Sequence, residues 1–428
     1  MPGPFDLAFM QRGLVEVLVL AVAAGLLGTW IVLRELAFFS HATGTAAFPG
    51  LVLADGLAFP APLGAFATAV LFAGGVGALS ARRRTSYDSL TAIVLVGFLA
   101  AGVILASDVF RSGSNVETLL FGSLLTIGWR DIALACVASG LTLVASLCLG
   151  RRWLASGFDP ESARSLGLRA RALDPVLLAL IALSTIAALS AVGALLATAL
   201  FVVPAATTRL FCRRIVIWQA ATVALVAAEG VAGLWLSYET NAPPGATIAV
   251  LAGAGFLAAL LATRLPRGHV GVAVGACLAL ALPLVAGCGG TAASGGGGAR
   301  LAVMATTTQI ADWVRQVGGE RVDVHQVLRP NTDPHDYEPR PRDVEAAAGA
   351  RLVFVNGDRL DAWAAKLVEQ SGGSPGVVDL GASLPVRLAG ESNGPEASRY
   401  DPHWWHDPVN AEAAVRRVRD ALAAAAPE

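Results

Sequence analysis

Residues 14–33 read LVEVLVLAVAAGLLGTWIVL, a stretch that is apolar at nearly every position. A bilayer core about 30 Å thick requires roughly 20 mostly apolar residues in a helix, so this stretch predicts a membrane-spanning helix. Eight further candidate spans follow: 37–57, 61–80, 89–107, 132–150, 175–190, 192–209, 216–237 and 246–263. Counted with the first stretch as span one, the second, sixth and seventh spans are interrupted by Gly, Pro or polar residues. We therefore expect an α-helical polytopic membrane bundle of about eight to nine spans over residues 1–266.

The composition of the whole chain agrees with this expectation and excludes other classes. Hydrophobic residues make up 55% of the chain and charged residues 15%, and the mean hydropathy is +0.62, which is unusual for a soluble protein. The formal net charge of -1 and the lack of a basic tract interleaved with aromatic residues argue against a nucleic-acid partner. The single lysine, Lys366, lies outside any G-x-x-x-x-G-K-[ST] pattern. We therefore expect neither an enzyme nor an ATP-binding P-loop.

Arginine clusters orient the predicted bundle, because short loops rich in arginine stay in the cytoplasm. Such clusters follow the third, fifth, seventh and ninth candidate spans, at residues 82–84, 151–171, 209–214 and 264–267. All four fall on one side, which leaves the N-terminus and residues 108–131 outside. The sequence therefore predicts a multi-pass membrane protein.

The segment 267–299 has the features of an export signal. An apolar run over residues 270–287 follows Arg264 and Arg267, ends in VAGC at residues 285–288, and is followed by GGTAASGGGG. A basic start, an apolar centre and a small-residue cleavage site are typical of a secretory signal peptide. The segment resembles a bacterial lipobox, which implies that Cys288 is lipid-modified after cleavage. The alternative is a tenth membrane helix that ends in Gly-Cys.

Residues 300–428 alternate between apolar strands and amphipathic helices. LAVMAT, VDVHQVL, RLVFVNG and VVDLG read as strands, and QIADWVRQVGG, RPRDVEAAAGA and LDAWAAKLVEQSGG read as helices. This alternation predicts a parallel sheet with helices on both faces, an α/β Rossmann-like lobe. We expect this lobe to lie outside the cytoplasm and to bind its ligand at the carboxyl ends of the strands.

Two motifs in this lobe place a histidine in a Pro-bounded turn after a strand. They are NTDPHDYEP at residues 331–339 and DPHWWHDP at residues 401–408. Two such turns can offer two neutral imidazoles to one cation. His325 lies inside a predicted strand and is interpreted as structural.

These motifs, together with ATTTQIADWVRQVGGERVDV at residues 305–324, resemble the ABC solute-binding lipoproteins that capture zinc or manganese. The resemblance implies that His335 and His403 are metal ligands and that His406 is at most auxiliary. It also implies that a third His or Glu and a closing Asp come from a second lobe, which residues 300–428 do not include. We therefore expect a truncated metal-binding lobe and a complete solute-binding protein as a partner.

Four segments before residue 266 resemble, in order, the permease family that serves those receptors. They are LFGSLLTIGWRD (120–131), FDPESARSLGLRARALD (158–174), VGALLATALFVVPAATTRL (192–210) and LSYETNAPPGATIAVLAG (236–253). The resemblance implies a permease homodimer and a separate ABC ATPase subunit. It also implies that residues 159–168 form the helix that docks on the ATPase, with these residues in that contact: Asp159, Pro160, Glu161, Arg164, Leu166 and Gly167.

Two ionisable residues inside candidate spans are candidates for the ion path. Before the Pro-Gly of AFPG, the permease family commonly shows an Asp and a His four residues later, but here those positions hold His41 and Thr45. His41 is either a transient metal ligand or a residue hydrogen-bonded to a neighbouring helix. Glu229 is the other ionisable residue that we place well inside a span, where it either pairs with a polar group of the bundle or lines the path.

The combined expectation is ATP-driven uptake of a divalent transition metal, with zinc or manganese as the transported ion. One alternative is that cleavage before Cys288 releases a metal-binding surface lipoprotein with no part in transport. Another is that the bundle imports a metal chelate, such as an iron complex. The residues quoted above leave these alternatives open.

Overall fold

The computed structural model describes residues 4–82, 87–109, 122–158, 170–264, 300–335, 337–391 and 398–426. The predicted ATPase-docking stretch 159–168 and the predicted lipidation site Cys288 lie outside these residues. The chain divides into two compact units, which are described separately: a helical bundle that ends at Arg264 and an α/β lobe that begins at Leu301.

The described part of the bundle contains nine α-helices. They are α1 (Ala8–Leu33), α2 (Ala37–Thr45), α3 (Phe48–Gly56), α4 (Ala61–Arg82), α5 (Tyr87–Ile104), α6 (Trp129–Phe158), α7 (Ala170–Arg209), α8 (Ile215–Thr240) and α9 (Pro244–Arg264). A π-helical turn, Leu105–Val109, follows α5, and a 3₁₀ turn, Leu124–Thr126, precedes α6. Helix α7 contains a break at Gly193, whose φ of 72° and ψ of 167° are not helical and suit a residue without a Cβ.

Seven stretches of these helices are long and apolar enough to cross a membrane: Ala8–Leu33, Ala61–Ser80, Tyr87–Ile104, Trp129–Gly157, Asp174–Gly193, Ile215–Thr240 and Pro244–Thr263. They confirm the predicted polytopic bundle and match seven of the nine candidate spans. The second candidate, 37–57, instead forms α2 and α3, which have 9 residues each. A helix of that length rises only about 14 Å. The seventh candidate contains the shorter apolar helix Leu196–Arg209, which follows the break at Gly193.

Close contacts at small residues and an ion pair formed by Arg34 hold helices of the bundle together. A Cβ added to Gly50 in α3 or to Gly64 in α4 would collide with the backbone carbonyl of the other glycine, so these helices touch backbone to backbone. Beyond the end of α1, Arg34 forms an ion pair with Asp174 at 2.9 Å. Its guanidinium also donates to the carbonyl of Trp153 and to Ser156 Oγ, both at 2.8 Å. These contacts fasten the end of α1 to α6 and α7.

The lobe is a four-stranded sheet with the strand order β2-β1-β3-β4, in which all neighbouring pairs are parallel. Its elements are β1 (Leu301–Ala305), α10 (Thr308–Gly318), β2 (Val322–Gln326), α11 (Pro341–Gly349), β3 (Leu352–Val355), α12 (Trp363–Ser371), β4 (Gly376–Asp379) and α13 (Pro408–Ala425). Helices α10 and α13 pack together, as do α11 and α12. The predicted parallel α/β lobe is confirmed, and each quoted strand and helix motif forms the predicted element.

Local sequence explains where the helices of the lobe begin. Thr307 caps α10, because its side chain accepts a hydrogen bond from the backbone N–H of Ile310. Asp407 caps α13 in the same way, with Pro408 at the first helical position. The buried core between the sheet and these two helices includes Phe354, Trp404 and Val418.

Candidate metal-binding site and ion path

The two predicted ligands, His335 and His403, lie in two copies of the same local structure. Each follows Asp-Pro in the sequence. The backbone N–H of His335 donates to Asp333 Oδ1, and that of His403 donates to Asp401 Oδ1, both at 2.9 Å. Such turns are typical of Asp, whose side chain can accept from a backbone N–H two residues ahead. The repeated Asp-Pro-His triplet is the sequence signal for this shared turn.

The structure brings the two histidines together. Their ring centroids are 5.8 Å apart and their planes are inclined at 59°. Two imidazoles bound to one tetrahedral ion, with metal–nitrogen bonds of about 2.0–2.1 Å, would have ring centres about 5 Å apart. The observed separation therefore needs little adjustment to accommodate one ion. In the described residues, no group of three or more His, Cys, Asp or Glu side chains is placed to hold a metal.

The carboxylate of Asp401 orients His403. Its Oδ1 lies 2.9 Å from Nδ1 of the imidazole, an arrangement in which Nδ1–H donates and Nε2 is available to a cation. The backbone N–H of His403, followed in importance by its ring, holds the pKa of Asp401 below its usual value. The side chain of His403 is 43% exposed, so an ion can approach it from solvent, while His335 is half-buried.

A buried carboxylate at the start of α11 organises the loop that carries His335. Asp343 accepts hydrogen bonds from Tyr337 Oη and from the backbone N–H of Arg340, both at 2.8 Å. His325 Nε2 lies 2.8 Å from the other carboxylate oxygen, in agreement with its interpretation as structural. Burial, with the Asp343 carboxylate as a further cause, raises the pKa of Tyr337, so its hydroxyl remains a donor.

In the bundle, His41 contacts a neighbouring helix. Its Nδ1 lies 3.2 Å from Thr198 Oγ1, and Thr198 belongs to the helix Leu196–Arg209 that follows the break in α7. The side chain is partly buried. The hydrogen bond agrees with one of the two predicted roles of His41, and the ring keeps a second nitrogen for another partner.

Glu229 in α8 lines a small cavity between helices. The cavity measures about 10 Å³, and its lining includes Leu196, Ala199, Gly245 and Ile248. Its size is close to that needed for one water molecule, about 10–15 Å³. Oε1 of Glu229 is buried and has no hydrogen-bond partner among the described residues.

His41 and Glu229 both lie beside the helix Leu196–Arg209, but on different faces of it. Thr198 is next to His41, whereas Leu196 and Ala199, three residues apart, are on the side of Glu229. Residues three apart share a face of a helix. The structure therefore does not bring His41 and Glu229 into one cluster.

Sequence reasoning missed one buried acid, Glu16 in α1. Its side chain is fully buried, with an exposed fraction of 0%, and neither carboxylate oxygen has a hydrogen-bond partner among the described residues. An ionisable group inside a span is expensive and therefore a functional candidate. The signal was present, because Glu16 lies within the stretch 14–33.

A bundle of apolar helices long enough to cross a membrane, joined in one chain to an α/β lobe with paired histidines, defines a class: a multi-pass membrane transport permease with a receptor-type lobe. The chain belongs to the ABC 3 transport family, which it matches over residues 6–263. Residues 303–428 match the family described as zinc-uptake complex component A, periplasmic. Both resemblances inferred from the motifs are thereby confirmed.

Individual relatives agree with this assignment. The chain is 31% identical to the chelated iron transport system membrane protein YfeD of Yersinia pestis, over 60% of this chain and 86% of that protein. It is 29% identical to the manganese transport system membrane protein MntC of Listeria innocua, over 60% of this chain and 92% of that protein. Among solved structures, it is similar to PsaBC from Streptococcus pneumoniae in complex with Fab. That match has a TM-score of 0.52 and 26% identity, and it covers 59% of this chain and 91% of that one.

Proposed function

We propose that the chain is the membrane subunit of an ATP-driven importer of zinc or manganese and carries part of the importer's extracytoplasmic receptor. The observation that carries the proposal is the 5.8 Å separation of the His335 and His403 rings in a chain that also contains an ABC 3 permease. Imidazole nitrogen is a preferred ligand of zinc and is also accepted by other divalent transition metals.

The proposal assigns a location to each part. Residues 1–266 form the permease in a bacterial plasma membrane, residues 267–299 form a lipoprotein-type signal and linker with Cys288 as the lipidated residue, and residues 300–428 form the extracytoplasmic lobe. The arginine clusters support this orientation.

Transport in this proposal requires further subunits. The permease forms a homodimer, a complete solute-binding protein delivers the ion to its outer mouth, and an ABC ATPase on a separate chain binds residues 159–168. The ion then passes between helices near His41 and Glu229. The burial of Glu229 Oε1 beside a small cavity supports its place on the path, because buried ionisable groups in membranes commonly mark such routes.

A second cargo, an iron chelate, is favoured by one observation. The relative from Yersinia pestis, which is named as a chelated iron transport protein, is 31% identical to this chain. A chelate would use the same permease but would not need the histidine pair to coordinate the ion directly.

Uptake measurements separate these candidates. The chain would be expressed with its ATPase and a complete solute-binding protein in cells that lack their own importers, and uptake of radiolabelled zinc, manganese and chelated iron would be compared. We expect uptake of zinc or manganese that falls at low metal concentration when His335 and His403 are both replaced by alanine. The matched control is His406→Ala, which removes an exposed imidazole three residues from His403. Uptake of chelated iron alone would favour the second candidate, and no uptake of any of the three would overturn the proposal.

A further inference from the structure

The prolines that precede the two histidines are both held by one short segment, residues 356–363. Asn356 Nδ2 donates to the carbonyl of Pro402 at 3.0 Å, directly before His403. Trp363 Nε1 donates to the carbonyl of Pro334 at 3.0 Å, directly before His335. Two turns that are far apart in the sequence are thus fastened to the same support, one at each end of it.

The segment also contacts each turn through a second interaction. The backbone carbonyl of Asn356 accepts from Trp404 Nε1 at 3.3 Å, and Trp404 follows His403. The indole of Trp363 packs against the ring of Tyr337, with centroids 5.0 Å apart, and Tyr337 lies two residues beyond His335. Each histidine is therefore flanked by contacts to the segment on both sides of it in the sequence.

A buried carboxylate fixes the segment internally. Asp361 accepts hydrogen bonds from the backbone N–H of Asn356 at 2.6 Å and of Gly357 at 3.1 Å. It also accepts one from Thr306 Oγ1 at 2.6 Å, which ties the segment to the end of β1. Burial raises the pKa of Asp361, against the effect of these hydrogen bonds. The segment therefore cannot shift without breaking bonds to a buried group.

The backbone of the segment is strained between Asn356 and Trp363. Gly357, Asp358 and Arg359 have φ values of 81°, 48° and 71°, and a left-handed conformation is strained for the two that are not glycine. The ion pair between Asp358 and Arg387, at 2.8 Å, helps to hold this conformation. Strain of this kind persists where the surrounding structure determines the backbone, and it commonly accompanies functional sites.

We propose that Asn356 and Trp363 are positioning residues that set the separation of the His335 and His403 imidazoles and so allow both to bind one metal ion. This inference rests on the proposed function of the histidine pair. Neither residue touches the ion. Each acts by holding the proline carbonyl next to one of the ligands.

The number of imidazoles bound to a probe ion tests this inference. The probe is the copper(II)–iminodiacetate complex, which has open positions for two imidazoles, added to the purified full-length chain in detergent. Pulsed electron paramagnetic resonance reports whether one or two imidazoles coordinate the copper, and titration gives the affinity. The variants are Asn356→Ala and Trp363→Phe, which retains an aromatic ring against Tyr337. The baseline is the His335→Ala, His403→Ala double variant.

We expect two coordinated imidazoles in the unaltered chain. In each variant we expect a change to one imidazole with a loss of affinity of about 10-fold to 100-fold, the range typical of residues that orient metal ligands. The matched control is Trp129→Phe, because Trp129 is an indole of α6 in the bundle and is 71% exposed. It should leave both readouts unchanged.

The outcomes separate the inference from the proposed function. If the unaltered chain binds the probe no better than the double-alanine baseline, the histidine pair itself fails as a metal site. If the unaltered chain shows two imidazoles and both variants also show two with unchanged affinity, the positioning inference is overturned. Hydrogen exchange of the β1 and β3 amides identifies a variant that has lost its fold. For such a variant, Asn356→Leu, which keeps a similar side-chain size but has neither the Nδ2 donor nor a charge, replaces Asn356→Ala, and two imidazoles there would equally overturn the inference.

Discussion

The acids of the lobe and those of the bundle differ in their hydrogen bonding. In the lobe, Asp361 accepts three hydrogen bonds, and Asp343 contacts three donor groups. In the bundle, neither oxygen of Glu16 has a hydrogen-bond partner among the described residues, nor does Oε1 of Glu229. A buried acid with its hydrogen bonds satisfied stabilises local structure, whereas one without them retains its desolvation cost.

From this difference we infer that the acids of the lobe are structural, and we propose that those of the bundle are functional. Asp343 and Asp361 fix the loops around the histidine pair, so their role is structural. The contacts described for Glu16 and Glu229 do not fix a loop or a helix in this way. An ionisable group retained inside a membrane span at such a cost is typical of a group that handles an ion or a proton.

The largest effect should come from Asp361→Ala in the lobe. The substitution leaves three donors of Thr306, Asn356 and Gly357 without their acceptor, and each buried donor left unsatisfied costs about 1–3 kcal/mol. We expect the lobe to lose at least about 3 kcal/mol of stability. Hydrogen exchange of the β1 and β3 amides in the full-length chain measures this loss, because exchange reports local opening free energies.

A matched comparison for that variant is Asp420→Ala. Asp420 is an exposed acid of α13 whose carboxylate pairs with its neighbour Arg419 at the surface, so its removal should change exchange little. Equal protection of β1 and β3 in both variants would contradict the structural role assigned to Asp361.

The sequence predicted the elements of both regions more fully than it predicted these side-chain arrangements. Hydrophobic length alone identified all seven long spans, and strand–helix alternation identified the whole sheet. The split of 37–57 into two helices was missed, although the Gly, Pro and polar residues of this stretch marked it as an interrupted span. The break comes just before Pro49, which lies in the first turn of α3, where proline is tolerated but where it disfavours continuation of the preceding helix.

For the histidine pair of the lobe, the sequence predicted the two ligands but not the side chains that position them. Pro-bounded turns indicated His335 and His403, and the structure places their rings side by side. The support from Asn356 and Trp363 could not be read from the sequence, because it joins residues 29 and 46 positions apart along the chain. Glu16 could have been found from its position in the first span.

The next largest effect should come from Arg34→Met, beyond the end of α1, where Arg34 is paired with Asp174. The guanidinium donates to Asp174, Trp153 and Ser156, and the side chains of the ion pair are only 14% and 28% exposed. Removing the cation leaves Asp174 without this partner, so we expect a loss of about 2–3 kcal/mol. The melting temperature of the full-length chain in detergent measures it.

The control for this variant is Arg130→Met in α6, since Arg130 is an exposed arginine of the bundle. It should leave the melting temperature within error of the unaltered chain. A similar fall in both variants would mean that a general loss of positive charge, rather than the paired geometry, destabilises the bundle.

A smaller effect should follow His325→Phe, which removes one of the groups around Asp343. The imidazole is 33% exposed and the carboxylate 5% exposed, and Tyr337 and Arg340 continue to donate to Asp343. One hydrogen bond of this kind contributes about 1 kcal/mol. We expect a loss of that size in lobe stability by hydrogen exchange, with copper–iminodiacetate binding at the histidine pair retained. Loss of that binding would instead place His325 among the groups that form the site.

The smallest effect, and the one of opposite sign, should come from Glu16→Met. Methionine has a similar volume and no polar group to desolvate, and replacing a buried polar group that lacks partners by an apolar one is neutral or stabilising. We expect the melting temperature of the full-length chain to rise by an amount equivalent to about 1 kcal/mol or less. The control is Glu35→Gln, which alters an exposed acid just beyond the same helix and should have no effect.

A clear fall in melting temperature with Glu16→Met would show that the carboxylate is stabilised by a bound cation or water. In that case Glu16 would belong with Asp343 and Asp361, and the contrast between the two regions would not hold at this residue. A rise accompanied by slower metal uptake would place Glu16 with the functional acids, since the protein would then retain a destabilising group that transport requires.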